Sequence, residues 1–424
     1  MTMRFDELEE KGKQAKKASK KLAFLSSEIK NKALFAIADS ILANRDTILE
    51  ANKKDMVVAK LGGMNEAMLD RLLLTADRLE GIANDVRTVA ALPDPVGEVI
   101  EDRTLPNGLH LIKKRVPLGV IGSIYESRPN VTVDIAVLCL KSGNAVILRG
   151  GKEALNSNKA LADVVQDAVY NAGIPAGAVQ FIESTDKNLV DHMLGMKDII
   201  DLIIPRGGAA LIRFVAETAK MPVVTGGIGV CHLYVDKSAD LSKATAIAYN
   251  AKVQRPTVCN ALDALLVHSG IANAFLPVVA VEWGKANVEM HCDERAYKIL
   301  KPITGLKVIP AVSEDWGKEF LSLVGAIKVV DSLDEAIAHI DRYGSGHSEA
   351  IVAEDQTSIN RFLDEVDAAC VYANASTRFT DGGQFGMGAE VGISTQKMHA
   401  RGPMALRELT SYKWVIIGNG QIRP

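Results

Sequence analysis

Cysteine is scarce in this 424-residue sequence: the five residues Cys139, Cys231, Cys259, Cys292 and Cys370 are scattered and odd in number. That excludes a disulfide framework, and with no pair at CxxC spacing it leaves no redox or zinc motif. The neighbours Cys231-His232 and His291-Cys292 lack the spaced partners of a structural zinc, so no metal is expected. No run approaches the ~20 apolar residues of a membrane span. The opening MTMRFDELEEKGKQAKKASKK has no apolar stretch before a small-residue cleavage site, so no secretory leader is expected and the protein reads as cytoplasmic. Neither charge dominates: 49 Lys and Arg stand against 52 Asp and Glu, for a net charge of -3. That excludes a nucleic-acid-binding field and leaves small molecules and copies of the same chain as the expected partners. The GxGxxG fingerprint is also missing, since VTGGIGV spaces Gly226, Gly227 and Gly229 differently. There is no internal repeat and no low-complexity linker.

What is present is ordinary soluble composition, 48% hydrophobic, in a chain long enough for two or three domains. From Ser27, the residues Ile29, Ala33, Ile37 and Ile41 recur every fourth position with Leu34, Ala38 and Leu42 beside them, which predicts a helix with one broad buried stripe. From about Val116, short β-branched runs alternate with helical segments: VPLGVIGSIY, NAVILRG, VQFIES, DLIIPRG, PVVTGG and CHLYVD. This pattern predicts a parallel sheet covered by helices. A second series, ALLVHS, GLKVIPA, AIKVVDS, AIVAED and AACVYANA, predicts a second α/β domain. RTLPNGLHLIKKRVP alternates apolar and polar residues around Asn107-Gly108, a hairpin signal, and SYKWVIIGNGQIRP reads as a further strand. Two such ribbons outside the cores suit pairing between subunits, although edge strands of a monomer look the same.

Two stretches share one form. NAVILRGGKEALNSNKAL and DLIIPRGGAALIRFV each run strand, Arg-Gly-Gly, helix, with Arg149 and Arg206 at the turn. Glycine lets backbone N–H groups approach a ligand and a helix N-terminus favours an anion, so both forms suit a nucleotide phosphate. One copy would be an ordinary α/β turn; two point to a dinucleotide. In NAKVQRPTVCNA, Cys259 follows Pro256, which bars a regular helix just before it, and Lys252 and Arg255 are close in sequence. A nucleophilic thiol needs access and a nearby cation, while residue type alone makes a small buried hydrophobe the commoner reading.

The order VPLGVIGSIYESRPN, SGNAVILRGGK, DLIIPRGGAA, VTGGIGVCHLYVD, NAKVQRPTVCNA, EFLSLVGAIKVVDSLDEAIAHI resembles the aldehyde dehydrogenase superfamily across nearly the whole chain. AIAHIDRYGSGHSEAIVAED and GQFGMGAEVGISTQKMHARGPMAL resemble its branch that reduces the γ-carboxyl phosphate of glutamate to glutamate 5-semialdehyde, the second step of proline biosynthesis. The resemblance implies two Rossmann-like α/β domains with a β-ribbon: residues 1–98 and 117–233 for NADPH, 234–398 for the catalytic cysteine, and 99–116 with 405–424 for oligomerisation.

It further implies that Cys259 is the nucleophile and that Asn130, with the Cys259 backbone N–H, receives the oxyanion. By residue type alone, Asn130 would be a turn residue after Pro129. Thr225 stands where hydrolytic members carry a general-base Glu, in the segment they read as Glu-Leu-Gly-Gly. Loss of that base argues for phosphate rather than water as the acyl partner. Arg149 and Lys152 occupy the places that hold the adenosine ribose, where cations favour the extra phosphate of NADPH. Gly207 and Gly208 would border the pyrophosphate and Glu319 the nicotinamide ribose, although EFLSL departs from the usual Glu-Phe-Gly-Pro. Arg128, Arg378 and the loop TDGGQFGMGAE, with Glu390 for the ammonium, are candidates for the substrate; surface arginines with other partners are the commoner case. His347 is read as structural. A homo-oligomer and contact with glutamate 5-kinase are the expected associations. The alternatives are a non-phosphorylating or CoA-acylating dehydrogenase using the same thiol, or, from a different class, an inactive scaffold or a binding partner of the kinase.

Overall fold

The computed structural model describes residues 2–226 and 228–423, the side chains of residues 2–5 and 67 excepted, so Gly227 lies outside the described residues. The chain divides into two compact units: Met1–Thr225 with Gly386–Gly392 and Met404–Pro424, and Gly226–Phe385 with Ile393–Pro403. The division falls after Thr225 rather than after residue 233, because CHLYVD enters the second unit's sheet.

In the first unit the expected helix spans Ser27–Ala43, started by the Ser26 side chain, and buries Ala33, Leu34, Ile37, Ala38 and Ile41. Lys30 lies on the same buried stripe, where Asp94 and the Lys141 carbonyl take up its ammonium. A hairpin joins β1 (Val99–Thr104) to β2 (His110–Pro117), with Gly108 in the left-handed region at φ 86. Its connection is three residues longer than a two-residue Asn-Gly turn would need: Thr104 pairs with His110, and Gly108 N–H donates to Leu105 O at 2.9 Å. The C-terminal strand Thr410–Ile417 pairs antiparallel with β2, and Tyr412, Trp414, Ile416 and Ile417 stay exposed on it.

The main sheet of this unit has β3 (Val120–Tyr125), β4 (Ala145–Gly150), β5 (Val179–Phe181) and β6 (Leu202–Arg206), all parallel, in the order β5-β4-β3-β6. Every residue of β3 is buried, as expected of a strand covered on both faces, and the almost wholly buried helix Asn130–Lys141 follows it. PVVTGG contributes one bridge, Ile203 to Val223, rather than a strand, since proline and the glycines limit its ladder.

The second unit holds β7 (Cys231–Val235), β8 (Leu262–His268), β9 (Glu289–Cys292), β10 (Lys307–Pro310), β11 (Val324–Val330), β12 (Ser348–Val352) and β13 (Cys370–Ala373). They form a seven-stranded parallel sheet in the order β10-β9-β11-β8-β7-β12-β13. Alternation splits its side chains into two cores. Leu233, Val235, Leu265 and Val267 join Phe275 and Trp283, whereas Tyr234, Leu266 and Ile351 join Phe362. Among the described residues no helix is long and apolar enough to cross a membrane.

Candidate active site

In the first unit the candidates gather at one edge of the sheet. Tyr125 at the end of β3 is in register with Gly150 of β4 and Arg206 of β6, so the three strands finish together. β4 and β6 lie on opposite sides of β3, which makes this the point where strand order reverses and where parallel sheets accept ligands. Arg128, Asn130, Arg149, Lys152, Gly207 and Gly208 all sit at or just beyond these ends. Glu390 is half-buried in the Gly386–Gly392 segment of the same unit, and a Cβ on Gly392 would lie 3.0 Å from Arg206 Nη1.

The loop after β3 is held tightly. Ser127 adopts φ 46, a left-handed conformation that strains a residue with a side chain, and Glu153 Oε1 accepts both its N–H at 2.7 Å and its Oγ–H at 2.9 Å. Three residues later Asn130 begins the helix, and its Nδ2 donates to Asp134 Oδ2 at 2.8 Å. Loss of solvation pushes the Asp134 carboxyl up to about 7; the Asn130 hydrogen bond opposes this, Asp85 adds to it, and Arg206 opposes it.

The cofactor candidates share this edge with two carboxylates that the sequence reading left out. Glu126 Oε2 accepts the Gly208 N–H at 3.0 Å, so the amide expected at the pyrophosphate already serves an anion. A Cβ on Gly207 would fall 2.4 Å from the same oxygen. Arg149 is half-buried: desolvation lowers its pKa, while Glu153 and Glu126 favour the charged form. Its Nη2 donates to Thr185 O at 3.4 Å, and its buried Nε has no hydrogen-bond partner. Lys152 is exposed at the start of a short 3-10 turn. The spare Arg149 donor and the bare Gly207 backbone fit a phosphate-bearing nucleotide, which would compete with Glu126 for Gly208.

In the second unit Cys259 and Glu319 lie before strands, and Arg378 follows β13. Cys259 is on the turn leading into β8, where Ala261 N–H donates to Val258 O at 3.0 Å. It is partly exposed, whereas the other four cysteines are buried; among the described residues there is no disulfide. Its carbonyl accepts from Cys231 Sγ at 3.2 Å. Gly229 packs so closely there that a Cβ would lie 1.6 Å from the Cys259 oxygen, so only glycine fits. Gly229 N–H in turn donates to Glu319 Oε1 at 3.0 Å, and Val230 N–H to Ser345 Oγ at 2.9 Å. Loops entering β11 and β12 therefore hold the Gly229–Val230 segment, which leads into β7 and packs on the Cys259 carbonyl. This is the position the structure gives Glu319, gripping the segment beside Cys259.

Asn260 ties that turn to the loop after β13. Its carbonyl accepts Thr377 Oγ1 at 2.7 Å and its Nδ2 donates to Thr380 O at 2.9 Å and Arg378 O at 3.4 Å. Arg378, far away in sequence, thereby comes within electrostatic reach of Cys259. Burial and Arg255 lower the pKa of its guanidinium, and Cys259 favours its charged form. A cation so placed favours a thiolate. Lys252 does not serve this purpose: it is buried, with Nζ on Leu262 O at 2.7 Å and Asp263 Oδ1 at 3.5 Å.

Behind the turn the chemistry is closed off. Burial pushes the Cys231 thiol well above its usual range. His347 Nδ1 lies 3.9 Å from Cys231 Sγ and 2.7 Å from Ser348 Oγ, which continues to Thr380 and, through it, to Tyr372 at 2.7 Å each. Burial holds His347 down to about 4, so it stays neutral near pH 7, in keeping with a structural role. Sequence reasoning missed Glu126, Glu153, Gly229, Asn260 and Asp134. Only Asp134 left a signal, its helical i+4 spacing from Asn130.

Asn130 with Arg149, Lys152, Gly207 and Gly208 belongs to the first unit, and Cys259, Glu319 and Arg378 belong to the second. Comparison with known proteins gives these two groups a family. The chain is 64% identical over 417 residues to a gamma-glutamyl phosphate reductase of Dehalococcoides mccartyi, covering 98% of both chains. It is 54% identical over 416 residues to the protein of that name from Escherichia coli, covering 98% of this chain and 100% of that one. The crystal structure of gamma-glutamyl phosphate reductase from Thermotoga maritima superposes with a TM-score of 0.95 at 49% identity, covering 98% of this chain and 100% of that one. The sequence pattern of the aldehyde dehydrogenase family matches residues 3–299, and with a cysteine held on the turn into β8 the chain belongs to that family.

Proposed function

We propose that this protein reduces L-glutamyl 5-phosphate to L-glutamate 5-semialdehyde with NADPH and releases phosphate, through a thioester on Cys259. The observation that carries the reading is the presentation of Cys259: a partly exposed thiol on a turn clamped by Gly229, Cys231 and Asn260, with the Arg378 guanidinium within electrostatic reach. The sulfur attacks the acyl carbon and the C–O bond to phosphate breaks. Asn130 Nδ2 and the Cys259 N–H receive the charge that develops on the acyl oxygen, both in this step and after reduction. When bound, the nicotinamide supplies the hydride. Breaking the C–S bond then releases the semialdehyde and returns the thiolate.

Arg149, Lys152, Gly207 and Gly208 hold the dinucleotide, with the two cations on its additional phosphate, and Glu319 serves the nicotinamide ribose. Arg128, Arg378 and Glu390 receive the phosphate and the glutamyl carboxylate and ammonium. The exposed Tyr412, Trp414, Ile416 and Ile417 support a homo-oligomer built on the C-terminal strand, working in the cytoplasm beside glutamate 5-kinase.

The reaction is tested in reverse, with purified protein, glutamate 5-semialdehyde and NADP+, by following NADPH formation with and without inorganic phosphate. Strict phosphate dependence, abolished in Cys259→Ala, is the expected result. NADPH formation without phosphate would mean that water resolves the thioester.

A further inference from the structure

We propose that Asp134 is a positioning residue for Asn130, fixing which end of the side-chain amide meets the acyl oxygen. This rests on Asn130 serving the oxyanion. The two residues are one helical turn apart on Asn130–Lys141, and Asn130 Nδ2 donates to Asp134 Oδ2 at 2.8 Å. A primary amide rotated by half a turn exchanges its oxygen for its nitrogen. In one orientation it offers an oxyanion a donor, and in the other it offers a repelling lone pair. Burial raises the Asp134 carboxyl to about 7, so above neutral pH it is ionised and only accepts, binding the nitrogen end and repelling the oxygen end. One Nδ2 proton goes to Asp134 and the second remains for the acyl oxygen.

The placement of Asp134 has no simpler structural use. It stands beyond the first turn, where an acid would interact with the helix N-terminus, and no side chain caps that terminus. Asp134 is the single acid in NVTVDIAVLCLK, a helix otherwise almost wholly buried. The charged and titratable groups facing it are Asp85, on the helix Ala76–Ala91, and Arg206, at the end of β6. Asp85 itself is raised by burial. A carboxylate that is costly to ionise, beside a second acid, is a poor stabilising device. Its described hydrogen bond is the one to Asn130.

The test is a double-mutant cycle on the full enzyme, with kcat and KM measured in the reverse direction for wild type, Asp134→Asn, Asn130→Ala and the double variant. Asn130→Ala is expected to lower kcat by roughly 100-fold, the loss of one oxyanion donor. Asp134→Asn, which no longer distinguishes the two ends of the amide, is expected to lower kcat roughly tenfold with KM within about twofold, because the lost interaction belongs to the transition state. On the Asn130→Ala background the same substitution should change kcat by less than about twofold, since residues acting as one unit are not additive. An equal loss on both backgrounds, or wild-type kcat in Asp134→Asn, overturns the inference and leaves the oxyanion assignment standing. Unchanged kcat in Asn130→Ala removes the assignment and the inference together. If Asp134→Asn fails to fold by thermal melting, Asp134→Ser enters the same cycle.

Discussion

The two parallel sheets use opposite ends. In the first unit the candidate residues follow the carboxyl ends of β3, β4 and β6; in the second Cys259 and Glu319 precede the amino ends of β8 and β11, and the loop after β13 returns Arg378 to the Cys259 turn. Beyond a carboxyl end the chain turns into a helix N-terminus, whose outward N–H groups suit an anion, and side chains such as Lys152 are exposed there. Before an amino end no such dipole is available, and a nucleophile must be presented by loops that brace one another. The Cys259 turn is braced by backbone: Gly229 against its carbonyl and Asn260 against two carbonyls of the Arg378 loop. The lesson is that the second region should fail on the addition of one methyl group, whereas the first should change its preference without losing its fold.

The largest effect is expected from Gly229→Ala. Its new Cβ would lie 1.6 Å from the Cys259 oxygen, so one of the two backbones must move. A displacement of this kind beside Cys259, the proposed nucleophile, should lower kcat by about 100-fold or more and reduce stability by on the order of 2–4 kcal/mol. Steady-state kinetics with a urea unfolding curve would show it, and wild-type values in both would break the comparison.

A smaller effect is expected from Arg378→Gln, which keeps an amide near Gln254 but removes the charge near Cys259. The rate of Cys259 alkylation by iodoacetamide at pH 7 should fall about three- to tenfold, and added salt should slow wild type towards the variant. Equal, salt-independent rates would show that the cation does not serve the thiol. The smallest effect belongs to the other edge. Lys152→Glu should shift the ratio of kcat/KM for NADPH over NADH by roughly tenfold towards NADH, with the melting temperature unchanged. An unaltered ratio would remove Lys152 from the cofactor site.

Legibility in the sequence follows the same division. The buried stripe of Ser27–Ala43 and the β-branched runs of β3, β4, β7, β8 and β11 were readable because burial on both faces leaves a continuous apolar imprint. β9, with the sequence EMHC, was not, since it has no β-branched residue and alternates with charge. PVVTGG carried the imprint of a strand but forms a single bridge. Cys259 could be singled out by its turn and by the superfamily resemblance. The cation could not: Lys252 and Arg255 were near in sequence, but Lys252 points into the core and Arg378 arrives from the loop after β13. Glu126 was invisible for a similar reason, because its partner Gly208 is a neighbour only across the edge where β3 and β6 end.

The central claim, that Cys259 forms the acyl-enzyme, is tested most directly by trapping it. The protein is incubated without nicotinamide cofactor while glutamate kinase, ATP and glutamate generate the acyl phosphate, then quenched in acid and digested for peptide mass spectrometry. The account predicts a glutamyl adduct on the peptide carrying Cys259, discharged by hydroxylamine and missing in Cys259→Ala. An adduct on Cys231 instead, or turnover with no acylated cysteine at any time, would contradict it.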